Sequence, residues 1–300
     1  MVKLVYWIKA ARLRTLPLAF SCILMGASIA KIYSFEISPI KLILALLTTL
    51  FLQILSNFAN DFGDGIKGSD QFREVKDRMV QSGKISRDDM KKGIIITSIT
   101  SFISGILLIF FSFSTEDTFK ILLFLVLGIL AIVAAIKYTV GKSAYGYHGL
   151  GDLFVFIFFG IIGVFGSFFL FTQEVKLLVI PGSLYIGSLS CAVLNLNNMR
   201  DIDNDFKSNK KTFAVLLGQN NSKIYHYFLI ITALISLFFL LVNSGNSLYF
   251  LSAFPFIICL INVRSVYRNK NPQKLDGELK KVALSCFFTN LMVFVTALII

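Results

Sequence analysis

The chain has 300 residues and a net charge of +12 at pH 7, with 56% apolar and only 15% charged side chains and a mean hydropathy of +0.76. A soluble domain carries about 25% charged residues, so the composition excludes one and points to a polytopic membrane protein. The basic excess falls in connections between apolar runs, where it reads as topology signal and contact with anionic membrane lipid, with no nucleic acid as partner.

Apolar windows of spanning length, about 20 residues, lie at 16–35, 40–60, 93–113, 119–138, 151–172, 177–199, 224–243, 246–263 and 282–300. They predict an all-α fold of nine transmembrane helices. Of the 29 Lys and Arg, 25 lie in the connections on one side, leaving Lys31, Lys41, Lys120 and Lys176 on the other. That imbalance puts the N-terminus and the long loops in the cytoplasm of a plasma-membrane protein and, with nine spans, the C-terminus outside. Cys22, Cys191, Cys259 and Cys286 sit inside apolar runs without metal spacing, and neither His148 nor His226 has a His or Cys at ligand spacing. A zinc site is therefore not expected.

The second window runs into Asn57-Phe-Ala-Asn60-Asp61-Phe-Gly-Asp64-Gly-Ile-Lys67-Gly-Ser-Asp70, three carboxylates and two amides in fourteen positions. A charge at the bilayer centre costs at least roughly 2.5–3.5 kcal/mol, so ionisable groups against a spanning helix mark function. The sixth window ends in Asn197-Asn198-Met-Arg200-Asp201-Ile-Asp203-Asn204-Asp205, with Asn197 lying 140 residues after Asn57. This offset suggests two four-helix halves plus a ninth helix, their acidic ends opposed across a central cavity.

At helical spacing Asn57, Asp61 and Asp64 share one face, and Asn197, Asp201 and Asp205 share another. Converging carboxylates repel one another unless a cation lies between them, and hard oxygen donors suit Mg²⁺, which is usually held by one or two carboxylates plus substrate phosphate. A diphosphate on a long apolar tail fits both the metals and a greasy cavity, and metal neutralises the leaving diphosphate as an allylic C–O bond breaks. A cation-coupled transporter would also use intramembrane carboxylates, but these lie at the ends of the spans. The loop 65–92 holds Arg73, Lys76, Arg78, Lys84, Arg87, Lys91 and Lys92, which read mostly as solvated surface. Within it Gly83 marks a turn and Ser86 an N-cap with Asp89 at N3. The chain reads as one domain, 1–300, with 65–92 and 201–222 as cytoplasmic loops and candidate lids.

These residues resemble the UbiA superfamily of intramembrane prenyltransferases. The likeness extends to Trp7-Ile-Lys-Ala-Ala-Arg12-Leu-Arg14-Thr15-Leu-Pro17, to Tyr138-Thr-Val-Gly141-Lys142-Ser-Ala-Tyr145-Gly-Tyr147-His-Gly-Leu-Gly151-Asp152 and to Lys211-Thr-Phe-Ala-Val-Leu-Leu-Gly218. Within the superfamily it is similar to the branch that prenylates 1,4-dihydroxy-2-naphthoate in menaquinone biosynthesis. The resemblance implies nine helices around a central cavity open to lipid, and Mg²⁺ on the two motifs binding a polyprenyl diphosphate. Carried over by position, Asp61, Asp64, Asp201 and Asp205 are catalytic, with Asn57 and Asn197 beside them as metal ligands. The short Asp61–Asp64 spacing leaves open whether Asp64 or Asp70 completes the first motif. Tyr138 and Lys142 resemble a pair near the diphosphate; apart from the resemblance, Lys142 reads as a topology charge. Lys67 and Arg200 either bind phosphate or bridge a neighbouring Asp, and Arg14 or Arg12 either holds the acceptor's carboxylate or anchors the first helix at the interface. Other acceptors within the family remain open: 4-hydroxybenzoate, homogentisate, a porphyrin or an archaeal lipid.

Overall fold

Long apolar runs in lipid must satisfy every backbone group internally, which leaves helices as the economical solution. The computed structural model describes residues 3–68 and 78–300, and among these it contains nine helices long and apolar enough to cross a membrane. They are α1 (Leu4–Ile32), α2 (Pro39–Lys67), α3 (Arg87–Ser112), α4 (Thr118–Lys137), α5 (Gly151–Thr172), α6 (Val179–Arg200), α7 (Phe213–Val242), α8 (Ser247–Arg268) and α9 (Pro272–Ile299). The nine expected windows are all present, several extended at their polar ends. Thus α2 runs past its apolar window to Lys67, and α7 begins at Phe213, inside the stretch expected to be loop. Hydropathy marks what lipid covers, whereas helical hydrogen bonding continues into polar sequence as long as caps are found.

Two of those caps are explicit. Ser86 Oγ accepts the backbone N–H of Asp89 (3.1 Å) and donates to the Asp89 carboxylate (2.8 Å), so α3 starts on the expected cap. Thr212 caps α7 through the N–H of Val215, and Gly218, at φ 76°, breaks the helix one turn later. Between α6 and α7 a short helix, Ile202–Lys207, carries the end of the second motif.

The main core is centred on α6, whose Tyr185, Ile186, Leu189 and Leu196 are fully buried among α1, α7 and α9. By contrast α4 exposes Phe119, Leu122, Val126, Leu130 and Val133, the outward apolar belt of a helix that faces lipid. All four cysteines are buried thiols, small core residues as the sequence suggests. A second, smaller core joins Leu55, Phe58, Met79, Val80, Ile85 and Met90 at the polar ends of α2 and α3, and Trp7 packs edge-on against Phe58 (5.3 Å). This satellite core holds the segment returning from the 65–92 loop against α2.

Within α5 the segment Phe156–Gly166 is a π-helix, an arrangement that gathers at functional sites. The wider turn brings Gly160 against the backbone of Ser183 and Gly187 on α6, where an added Cβ would meet the Ser183 carbonyl at 2.7 Å. Phe158, Phe159, Ile162 and Gly163 of this segment line the central cavity.

Candidate active site

A cavity of about 400 Å³ occupies the bundle. Its walls come from α1 to α6 with Leu279 of α9, and among the described residues α7 and α8 supply none of the lining. One end is polar, with Arg12, Arg14, Asn57, Asn60, Asp64, Arg78, Asn197, Asn198 and Lys210; the other is apolar, with Phe124, Leu127, Phe159, Ile162 and Leu170.

The polar end begins at a break in α1. Its first helical segment stops at Ala11, Arg12 adopts a left-handed conformation (φ 48°), and a single 3₁₀ turn over Leu13–Thr15 precedes the rest of the span. An unfinished turn inside a bundle needs partners for its carbonyls. Asn57 supplies one, its amide nitrogen donating to Ala11 O (2.8 Å) and to Thr15 Oγ1 (3.1 Å), while Gln53 also reaches Thr15 Oγ1 (3.1 Å). Asn57 therefore fixes the segment that carries Arg12 and Arg14, and its carbonyl oxygen is the acceptor atom it can offer to the cavity.

Asp61 and Asp64 share a helical face but do different work. Asp61 is fully buried, and its two oxygens accept the backbone N–H groups of Met79 (2.9 Å) and Val80 (3.1 Å). It thereby ties the middle of the 65–92 loop onto α2. Asp64 borders the cavity and is a hub: Arg78 Nη2 donates to Oδ2 (3.0 Å), the Tyr147 hydroxyl to Oδ1 (2.7 Å), and Lys210 lies 3.3 Å away. Arg78 is buried on Asp64, which corrects its expected place among solvated loop charges. Asp70, the other candidate to complete the first motif, lies outside the described residues.

Lys210 joins the motifs. Its backbone N–H donates to Asp205 O (2.8 Å) while its ammonium reaches Asp64. Burial, and then the negative charges of Asp152, Asp64 and Asp205, push the Tyr138 phenol well above its ordinary pKa, so it stays protonated with carboxylates of both motifs nearby. Close approach here depends on Gly63, where a Cβ would stand 2.6 Å from Thr139 Oγ1 and 2.8 Å from the Thr139 backbone. Tyr138 and Tyr145 both line the cavity, packed edge to face (5.3 Å), and Tyr145 stacks on Phe154 (4.0 Å).

Of the two uses open to Arg200, the salt bridge is the one present. Its guanidinium donates to Asp201 (2.9 and 2.7 Å), to Asn197 Oδ1 (2.8 Å) and to Asp276 at the start of α9. Arg14 also donates to Asp276 (3.3 and 3.4 Å). Lys67 sits over the Tyr147 ring (3.8 Å) and Lys142 is exposed away from the lining. Asp64, Asn57 and Asn197 thus border the cavity, whereas Asp61, Asp201 and Asp205 stand behind it.

Arg78, Tyr147, Lys210 and Asp276 have site positions that the sequence patterns did not single out. Among the described residues no three His, Cys, Asp or Glu side chains cluster as a ready metal site. The donor chemistry nonetheless fits a hard divalent ion: carboxylate and amide oxygens stand at the mouth of a cavity that admits a phosphate to complete the shell. The charge that such an ion would neutralise is balanced here by Arg78, Lys210 and Arg200.

The chain matches the UbiA prenyltransferase family over residues 19–292. It is 39% identical over 291 residues to the 1,4-dihydroxy-2-naphthoate octaprenyltransferase of Escherichia coli, covering 95% of this chain and 92% of that one. It is 38% identical over 293 residues to the protein of the same name from Haemophilus influenzae, covering 97% and 94%. In three dimensions it is similar to a UbiA homologue from Archaeoglobus fulgidus bound to GPP and Mg²⁺, with a TM-score of 0.65, 14% identity, and 95% and 99% of the two chains covered.

Proposed function

Because this chain belongs to the UbiA prenyltransferase family, we propose that it joins a polyprenyl group from a polyprenyl diphosphate to 1,4-dihydroxy-2-naphthoate. The carbon–carbon bond forms at the ring carbon bearing the carboxylate. Carbon dioxide then leaves, its bonding electron pair returns to the ring, and diphosphate is released beside demethylmenaquinol. The two near-full-length relatives bear this activity in their names. The observation that carries the proposal is a single cavity with both acidic motifs around its polar end and an apolar body behind them.

Mg²⁺ held by Asn57, Asp61 and Asp64 and by Asn197, Asp201 and Asp205, together with phosphate oxygens, would neutralise the leaving diphosphate. Arg78 and Lys210 border the same end, where Lys210 would meet the diphosphate as a point charge and Arg78 as a fork. Tyr138 and Tyr145 present ring faces to the allylic cation, and the Tyr138 phenol keeps its proton while doing so. Arg12 and Arg14 take the acceptor's carboxylate. The apolar body of the cavity excludes the water that would quench the cation.

The cluster of basic residues at this end supports a cytoplasmic placement of the site. The test is mass spectrometry of products from the purified protein in detergent, given one polyprenyl diphosphate and several aromatic acceptors with Mg²⁺. The prenylated, decarboxylated naphthoquinol is the expected product. A product from another acceptor alone, or none from any, overturns the assignment.

A further inference from the structure

One carboxylate beside the polar end of the cavity belongs to neither acidic motif. Asp276 lies near the start of α9, three residues before Leu279, which is the one residue of that helix in the cavity lining among the described residues. Residues three apart share a helical face, so the turn of α9 that reaches the site also carries this charge. Among the described residues α7 and α8 contribute no lining, and α9 is therefore the only one of the last three helices with a part in the site.

Asp276 receives two guanidinium groups, and it holds them unequally. Arg200 is buried, donates to Asp276 Oδ1, and is held in addition by Asp201 and Asn197. Arg14 and Asp276 have side chains 34% and 39% exposed, and Arg14 Nη1 stands 3.4 and 3.3 Å from the two Asp276 oxygens. Charge-assisted bonds of this kind are usually about 2.7–2.9 Å long, so the Arg14 contact is stretched and uses one nitrogen where a closed fork would use two. Arg200 anchors the carboxylate, and the carboxylate aims Arg14.

The backbone of Arg14 is already fixed, since it lies in the 3₁₀ turn Leu13–Thr15 whose Thr15 hydroxyl accepts from Gln53 and Asn57 on α2. What is left to order is the long side chain, which loses much rotamer freedom on binding; a carboxylate that orders it beforehand spares the ligand that loss. Arg14 also lines the cavity. We infer that Asp276 is a positioning residue: anchored on Arg200, it presents Arg14 to the carboxylate of the aromatic acceptor and so sets selectivity for a carboxylated ring. This rests on the prenyl-transfer function proposed above and adds to it a determinant of acceptor choice outside both motifs. A diphosphate oxygen would suit the same guanidinium, so donor and acceptor are measured separately.

The experiment compares wild type, Asp276→Asn, Arg14→Gln and the double variant in detergent with Mg²⁺. It takes KM for 1,4-dihydroxy-2-naphthoate and for one polyprenyl diphosphate, and the inhibition constants of 1-hydroxy-2-naphthoate and 1-naphthol, a pair that differs only in the carboxylate. In Asp276→Asn the acceptor KM and the 1-hydroxy-2-naphthoate constant are expected to rise about tenfold, with the donor KM and the 1-naphthol constant within about twofold of wild type. Arg14→Gln should raise the same two values at least as far, and the double variant should match Arg14→Gln, because Asp276 acts on the acceptor through Arg14. Naphthoate values unmoved in either single variant, an equal rise for 1-naphthol, or a donor KM that rises as much as the acceptor KM overturns the inference. Should Asp276→Asn fail to fold, the double variant set against Arg14→Gln decides: an equal acceptor KM upholds the positioning, and a further rise refutes it. Wild type inactive with every acceptor would instead refute the prenyl-transfer function, whereas an active wild type with unmoved naphthoate values in the variants refutes only the role of Asp276.

Discussion

Replacing Asp64 by asparagine removes the charge on which Arg78, Tyr147 and Lys210 converge. The side chains of Asp64, Arg78 and Lys210 are only 2%, 8% and 11% exposed. Truncating one partner of a buried ion pair costs about 3–5 kcal/mol, because the other charge stays buried. These cations border a cavity, so the lower figure applies, about 3 kcal/mol. At about 2–4 °C per kcal/mol for a chain of comparable size, the midpoint of thermal unfolding falls by roughly 6–12 °C. The single tryptophan, Trp7, packs on Phe58 of α2, so its fluorescence in micelles reports this end of the bundle. Adding Arg78→Met to Asp64→Asn should restore part of the loss, a coupling of about 1–3 kcal/mol, without restoring turnover. A single variant melting within about 2 °C of wild type, or a double variant whose losses simply add, would refute the Asp64 hub as a source of stability.

Asp201→Asn is expected to lower turnover in Mg²⁺ by at least about a hundredfold, and near-normal turnover would rule out a metal site built from both motifs. Chelation with EDTA should abolish turnover yet leave the melting midpoint close to its starting value, since Arg78, Lys210 and Arg200 already balance the carboxylates; a large destabilisation would contradict that balance. Asn57→Ala removes the amide that holds the break in α1, costing about 1–3 kcal/mol, and should raise KM for the acceptor more than KM for the donor. Gly63→Ala places a methyl 2.6 Å from Thr139 Oγ1; overpacking against backbone costs about 1–3 kcal/mol, and an unchanged midpoint would show that α2 has more freedom than its contacts suggest.

The nine spans were legible because lipid demands a long apolar run for each, and the Ser86 cap because its partner lies three residues away. The two motifs were legible through their shared Asn-x-x-x-Asp opening and common place at the ends of α2 and α6. What escaped notice is non-local. Arg78 looks like any loop arginine until the chain returns to Asp64, and Lys210 matters only because the turn after the short helix Ile202–Lys207 brings it to Asp64 near the end of α2. Asp276 has no motif around it, and its value comes from two arginines contributed by α1 and α6. The π-helical turn in α5 left no mark either, since an all-apolar stretch such as Phe156–Gly166 shows no periodicity to distinguish one helical pitch from another.

The arginine–aspartate–arginine bridge among α1, α6 and α9 also bears on how the protein is made. Arg14 and Asp276 are 262 residues apart, which at about 5–20 residues per second separates their synthesis by roughly 13–50 s. Arg14 waits through that interval, and Arg200, 76 residues before Asp276, through its last roughly 4–15 s, before their shared carboxylate exists. The bridge is completed only when α9 inserts, so a nascent chain that has reached α8 holds eight helices without a finished polar mouth.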